Sequence, residues 1–265
     1  MVIERTEDKL KGLIFDVDGT LAETEQAGHR IAFNRAFEEL GLDWNWDEAV
    51  YDDLLQVFGG KERVRHFIDE HLAGFIVEGD LNDFIGDLHR RKTRHYVDLM
   101  KSGGIPLRSG VERLLNHARS EGLRLGIAST TTPENVTALL TATLGAHSID
   151  WFDVIAAGDI VSQKKPAPDI YEYALQCLDL RASECIAFED TGSGLRSAVS
   201  AGLETVVTVN DATRQQDFSG AAIVLDQLGE PGSAFRVLAG DAHGATCVDV
   251  PFLRKLQATR SLSAN

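Results

Sequence analysis

Gly12-Leu13-Ile14-Phe15-Asp16-Val17-Asp18-Gly19-Thr20-Leu21 carries an apolar strand into two carboxylates and a glycine. Leu13 to Phe15 and Val17 form the nearly continuous apolar run of a strand buried in a parallel sheet. Asp16 and Asp18 are two apart, so at the carboxyl end of that strand both carboxylates can face one side, where open α/β sheets bind their ligands. Two close like charges repel unless a cation lies between them, and a hard, oxygen-seeking ion such as Mg²⁺ answers that need. One carboxylate can then attack the phosphorus of a bound monoester while the other exchanges a proton with the leaving oxygen. Gly19 permits the sharp exit such a site requires. An ordinary strand followed by an Asp-Gly turn also accounts for the run, which by itself does not choose.

The 265 residues suffice for one large domain, or for a core with a smaller one set into it. With 43% hydrophobic and 25% charged residues, the composition is that of a soluble globular protein. A formal net charge of −15 argues against nucleic acid and against anionic membrane surfaces as general partners. Against that field a phosphate ester must be captured by a metal and a few local cations. Cys177, Cys185 and Cys247 lack metal-ligand spacing and cannot all pair, which points to a reducing compartment. The opening MVIERTEDKLKG has neither the apolar core of a signal peptide nor a transit composition, so a cytoplasmic location is expected, although a mature organellar protein would look the same.

From about residue 22 to 100 the chain has helical spacing and no strong strand signal. Ile31, Phe33, Ala36, Phe37 and Leu40 recur at three- and four-residue steps before Gly41, and further helices are expected near 47–57, 61–72 and 81–100. From about 109, short apolar strands alternate with helices. Ser109 is expected to cap a helix through Arg119, and strands are expected at 123–128, 154–157, 185–188, 205–209 and 222–225, with helices at 169–178 and 195–201. This alternation implies an α/β fold, a Rossmann-like parallel sheet with helices on both faces. Its expected division is a core over 11–21 and 101–230, an inserted α-helical cap over 22–100, and an extension over 231–265. That extension has a weak strand at Cys247–Val250, a helix after Pro251 and no clear role.

Three further strand ends carry chemistry. Leu125 to Ala128 leads into Ser129-Thr130, whose hydroxyls and free N–H groups before a helix can cradle phosphate, or simply cap that helix. Lys164-Lys165-Pro166-Ala167-Pro168-Asp169 pins a lysine pair beside two prolines, either as a charge-neutralising ammonium or as solvated loop lysines. Phe188-Glu189-Asp190-Thr191-Gly192-Ser193-Gly194 again brings adjacent acids to a strand end, and Glu189 and Asp190 can complete an oxygen shell around an ion at Asp16 and Asp18. Gly192-Ser193-Gly194 is a weak match to a dinucleotide-binding turn, because Ser197 replaces the third small residue. Gly59-Gly60-Lys61 lacks the other residues of a P-loop, and His66 and His71 lack zinc-site spacing.

In this order, the four sites resemble the haloacid dehalogenase-like phosphohydrolases over about residues 11 to 228. The resemblance implies that Asp16 is a nucleophile forming an aspartyl-phosphate and Asp18 the general acid and base. It further implies that Ser129, with Thr130, binds the phosphoryl group, that Lys165 stabilises charge, and that Mg²⁺ is held by Asp16, Asp18 and Asp190 with Glu189 behind them. Runs such as Phe15 to Glu25, Gly28-His29-Arg30, Gly59 to Arg63 and Val154 to Asp159 are most similar to the CbbY-like group. That group is associated with carbon-fixation operons and with hydrolysis of xylulose-1,5-bisphosphate, an inhibitor of ribulose bisphosphate carboxylase. A bisphosphate has a second phosphate to be held, and Gly60, Lys61 and Arg63 on the cap, with His29 near the hinge, are the candidates. A β-phosphoglucomutase-like phosphotransferase uses the same two aspartates, and a protein that only binds a phosphorylated metabolite is the remaining class. The oligomeric state leaves no trace in the sequence.

Overall fold

A computed structural model describes residues 9–263. In chain order the elements are β1 (Gly12–Phe15), a π-helical turn (Glu25–Arg30), α1 (Ile31–Glu39), α2 (Glu48–Leu54), α3 (Gly60–His71), α4 (Leu81–Lys101), α5 (Val111–Ser120) and β2 (Arg124–Ser129). They continue with α6 (Pro133–Leu144), β3 (Val154–Ala157), α7 (Asp169–Leu178), β4 (Cys185–Glu189), α8 (Gly192–Ser200), β5 (Glu204–Thr208), β6 (Ile223–Leu225), β7 (Val237–Ala239) and α9 (Val250–Ser263). The sheet order is β3-β2-β1-β4-β5-β6-β7, and every pairing is parallel except β6 with β7. This is a doubly wound α/β fold with β1 at its centre. All four residues of β1 are buried, as a strand covered on both faces must be. Its neighbours are β2 and β4, so the four chemical strand ends lie side by side where such sheets bind ligands.

The helices from α1 to α4 have their own apolar cluster. Phe33, Phe37, Trp46, Tyr51, Leu54, Val64 and Leu88 are buried together. Trp46 lies 4.6 Å and 4.9 Å, ring centre to ring centre, from Phe33 and Phe37. Aromatic groups of this size let a small helical unit hold its shape without sheet support. It leaves and rejoins the core through two strands of chain that touch at an antiparallel bridge between Ala22 and Leu107.

Two expectations change. Ser109 does not cap α5: Gly110 occupies that position at φ 85°, a left-handed conformation that favours glycine. Cys247–Val250 forms no strand, and the seventh strand is Val237–Ala239, antiparallel at the edge of the sheet. The extension after 231 packs on the core, since Val248, Val250, Phe252, Leu253 and Leu256 join the main apolar cluster with Leu115 and Ala118 of α5. Among the described residues no helix is long and apolar enough to cross a membrane.

Candidate active site

A cavity of about 1200 Å³ opens at the carboxyl edge of the sheet beneath the helical unit. Asp16, Asp18, Ser129, Thr130, Lys165, Glu189 and Asp190 line it from the core, and Glu25, Gln26, Asp52, Leu55, Phe58 and Arg63 from the cap side. Four segments far apart in sequence meet there because β1, β2 and β4 are adjacent and the loop before α7 reaches across their ends.

Lys165 ties the buried centre together. Its Nζ donates to Asp16 Oδ1 at 2.7 Å, to Glu189 Oε1 at 2.6 Å and to the Ala128 carbonyl at 2.9 Å. Tyr171 donates to the same Glu189 oxygen at 2.6 Å. Glu189 is thus occupied in holding Lys165, and Lys165 in fixing Asp16. Asp190 is pinned from both sides, accepting from Thr20 Oγ1 at 3.4 Å and Asn210 Nδ2 at 2.9 Å.

Three carboxylates, Asp16, Glu189 and Asp190, each offer an oxygen within 4.8 Å of the others, and all three are buried. One ammonium does not balance them. Burial, opposed by Lys165 and reinforced by Glu189 and Asp18, pushes Asp16 up to about 7, while burial with Asp16 and Glu189 pushes Asp190 far above the carboxylate range. A buried all-oxygen set short of positive charge suits Mg²⁺. Asp16 and Asp190 would hold such an ion, with Glu189 behind them, and the ion would neutralise phosphoryl charge.

Asp18 is placed differently from the expectation. Its Oδ1 accepts from Thr24 Oγ1 and lies 2.8 Å from His29 Nε2, away from the three-carboxylate group. β1 ends at Phe15, so the strict alternation that would align Asp18 with Asp16 does not extend past it. Burial works to raise Asp18, yet His29 and Thr24 hold it down at about 2. His29 itself is stacked on Tyr96 at 4.4 Å, and its Nδ1 lies 2.7 Å from Lys92 Nζ. With Lys92 donating to Nδ1, the ring's N–H is at Nε2, directed at Asp18.

The cap candidates separate. Arg63 is buried against the cavity, donating to Tyr51 Oη at 2.7 Å beside Glu25. Lys61 does not line the cavity: it is half exposed and pairs with Asp159 of the core at 2.8 Å. Residues two apart on a helix face different ways, so one helix cannot aim both cations inward. Gly60 lies in a smaller adjoining cleft with His29, His89 and Lys92, and a Cβ there would strike the His89 ring.

Sequence reasoning missed Thr24, Tyr171, Asn210 and Lys92. Lys92 sits in His89-Arg90-Arg91-Lys92-Thr93-Arg94-His95, which reads as a solvated basic face, and only packing shows that its fourth residue turns inward. His89 turns inward too. Burial, with Lys92 and Lys61 nearby, lowers it to about 3. The unfolded chain therefore takes up a proton near 6.5 that the fold refuses, and stability falls on acidification below that pH. His89→Gln is expected to flatten this fall by about 1.4 kcal/mol per pH unit between roughly 6 and 4. Urea unfolding of both proteins at several pH values measures it, and parallel curves would exclude His89 as the cause.

A profile of haloacid dehalogenase-like hydrolases matches residues 10–202. The chain belongs to that family, and it is an enzyme of the phosphatase kind. It is 48% identical over 239 residues to the plasmid-encoded CbbY protein of Cupriavidus necator, covering 88% of this chain and 92% of that one. Among solved structures it is similar to Rhodobacter sphaeroides CbbY in complex with phosphate, at 46% identity and a TM-score of 0.77 over 82% of this chain and 94% of that one. A substituted form of the same protein, in complex with xylulose-(1,5)bisphosphate, is 45% identical with a TM-score of 0.77 and the same coverage.

Proposed function

We propose that this chain is a Mg²⁺-dependent, cytosolic phosphatase acting on a sugar bisphosphate. The substrate is xylulose-1,5-bisphosphate and the product xylulose-5-phosphate, which relieves inhibition of ribulose bisphosphate carboxylase. The observation that carries this reading is a single cavity with a nucleophile, a lysine and hydroxyl cradle on one wall and the buried Arg63 guanidinium on the other. An arginine there gives a second phosphate a forked partner, and the relative solved with xylulose-(1,5)bisphosphate supports that choice of ligand.

In the first half-reaction an Asp16 oxygen attacks phosphorus and the bond to the sugar oxygen breaks, leaving an aspartyl-phosphate. Ser129, Thr130 and Lys165 bear the phosphoryl charge. Asp18 supplies the proton to the leaving oxygen, which requires it to turn from His29, because the His29 contact keeps it ionised. In the second half it takes a proton from the water that opens the aspartyl-phosphate, and phosphate departs. Closure of the helical unit keeps bulk water out during transfer.

With Mg²⁺, phosphate release from xylulose-1,5-bisphosphate is expected to exceed that from glucose phosphates by orders of magnitude. Conversion of β-glucose-1-phosphate into glucose-6-phosphate without net phosphate release would overturn this in favour of a mutase. Arg63→Ala is expected to lower kcat/KM for the bisphosphate by about 100-fold. The loss on p-nitrophenyl phosphate should be at least tenfold smaller, and equal losses would remove Arg63 from substrate recognition.

A further inference from the structure

Arg108 lies where the chain returns from the helical unit to the core. Its side chain is 10% exposed, and both terminal guanidinium nitrogens donate to backbone carbonyls. Nε pairs with Glu23 at 2.9 Å. One terminal nitrogen donates to the carbonyls of Gly19 and Thr208, the latter at 2.9 Å, and the other to those of Val209 at 2.6 Å and Asp226 at 3.0 Å. Its backbone N–H also bonds the Leu21 carbonyl at 2.8 Å.

These carbonyls follow or end three strands, β1, β5 and β6. In the sheet β4 lies between β1 and β5, so the clamp spans the end of the strand that delivers Glu189 and Asp190. The two groups that pin Asp190 flank the clamped residues in sequence: Thr20 follows Gly19, and Asn210 follows Val209. Gly19 itself immediately follows Asp18. At φ 84° it passes so close to Asp190 that a Cβ would strike the carboxylate. A small shift of the Gly19 loop away from β5 therefore separates Asp18, Asp190 and Asn210 together. A lysine has three donors and no fork, so it cannot hold four carbonyls on three loops at once.

We infer that Arg108 is a positioning residue that sets the spacing between the aspartate loop after β1 and the Asp190–Asn210 pair, and with it the catalytic geometry. The inference rests on the reading of Asp16, Asp18 and Asp190 as the working site. Arg113 provides the control. It makes a similar clamp, to the carbonyls of Gly229 at 2.7 Å and Val248 at 3.1 Å and to Glu230 at 3.1 Å, but does not line the cavity.

The test compares the full-length Arg108→Met, Arg108→Lys and Arg113→Met proteins, at a temperature where circular dichroism shows each one folded. Hydrolysis of p-nitrophenyl phosphate under saturating Mg²⁺ gives kcat and KM, and Mg²⁺ titration gives the rise in Tm on metal binding. Arg108→Met is expected to lose about 100-fold in kcat with KM within about threefold, the cost of misplacing reacting groups by about 1 Å. Its Mg²⁺ half-saturation should rise at least about tenfold. Arg108→Lys should recover little of either, and Arg113→Met should lose Tm while keeping kcat and Mg²⁺ response near wild type. Arg108→Met with wild-type kcat and Mg²⁺ response once folded overturns the inference. If the wild type hydrolyses no phosphate ester, the proposed function fails instead, and equal Mg²⁺-induced Tm shifts in Arg108→Met and Arg113→Met would still overturn this one.

Discussion

Asp16→Asn is expected to remove phosphate release almost entirely, by on the order of 10³-fold or more in kcat, because a carboxamide cannot take the nucleophile's part. The same change should leave the fold intact. Asp16 is buried beside Glu189 and Asp190, and its carboxyl is pushed up to about 7, so ionising it in this setting works against folding. An amide of the same shape removes one of three crowded negative charges, while Lys165 keeps Glu189 and the Ala128 carbonyl. In metal-free buffer near pH 8 the variant should therefore melt no lower than wild type. In a phosphate-release assay beside thermal unfolding, substantial turnover would remove Asp16 from the nucleophile's role. A large loss of Tm would mean that the carboxylate is structural.

Lys165→Met is expected to damage both activity and stability. It strips the only cation bonded to Asp16 and Glu189 among the described contacts and leaves two buried carboxylates facing each other. Breaking a buried pair by removing one partner costs about 3–5 kcal/mol. For a chain of this length that corresponds to a Tm fall on the order of 10 °C. Mg²⁺ should restore more Tm to this variant than it adds to wild type, since the vacated charge deficit deepens the site's demand for a cation. Differential scanning calorimetry with and without Mg²⁺ decides the point. A Tm equal to wild type in metal-free buffer would show that the three carboxylates do not depend on Lys165.

Much of this arrangement was legible along the chain. Leu13 to Phe15, Leu125 to Ala128 and Cys185 to Phe188 are short apolar runs, each broken by polar residues of one chemical kind. Burial on both faces of a parallel sheet enforces that pattern whatever the surroundings. The helices from α1 to α4 were legible because helical periodicity replaced strand signals for nearly eighty residues. Ser109 misled because a hydroxyl is a common cap, whereas the turn at 110 needs a left-handed residue, and glycine takes it. The edge strand at 237–239 was missed because all three residues are exposed, so no inward face writes an alternation into the sequence.

Side-chain direction was the other gap. Asp18 belongs to the motif, but its pairing with His29 and Thr24 depends on how the chain turns after β1. Lys61 and Arg63 read alike as cations near a helix start, and the helix's rotation about its axis sends one to Asp159 and the other to the cavity. Lys92 and Arg108 carry no local mark at all. The sequence by itself determined which groups stand at the strand ends, because strand burial and the sharp turn that follows are local demands on residue type. Only the tertiary structure decided which of those groups touch, which cation faces the cavity, and that one arginine bridges three strand ends. Those contacts join residues up to 170 positions apart, as Thr20 and Asp190 are, and no periodicity in a chain encodes the meeting of its distant parts.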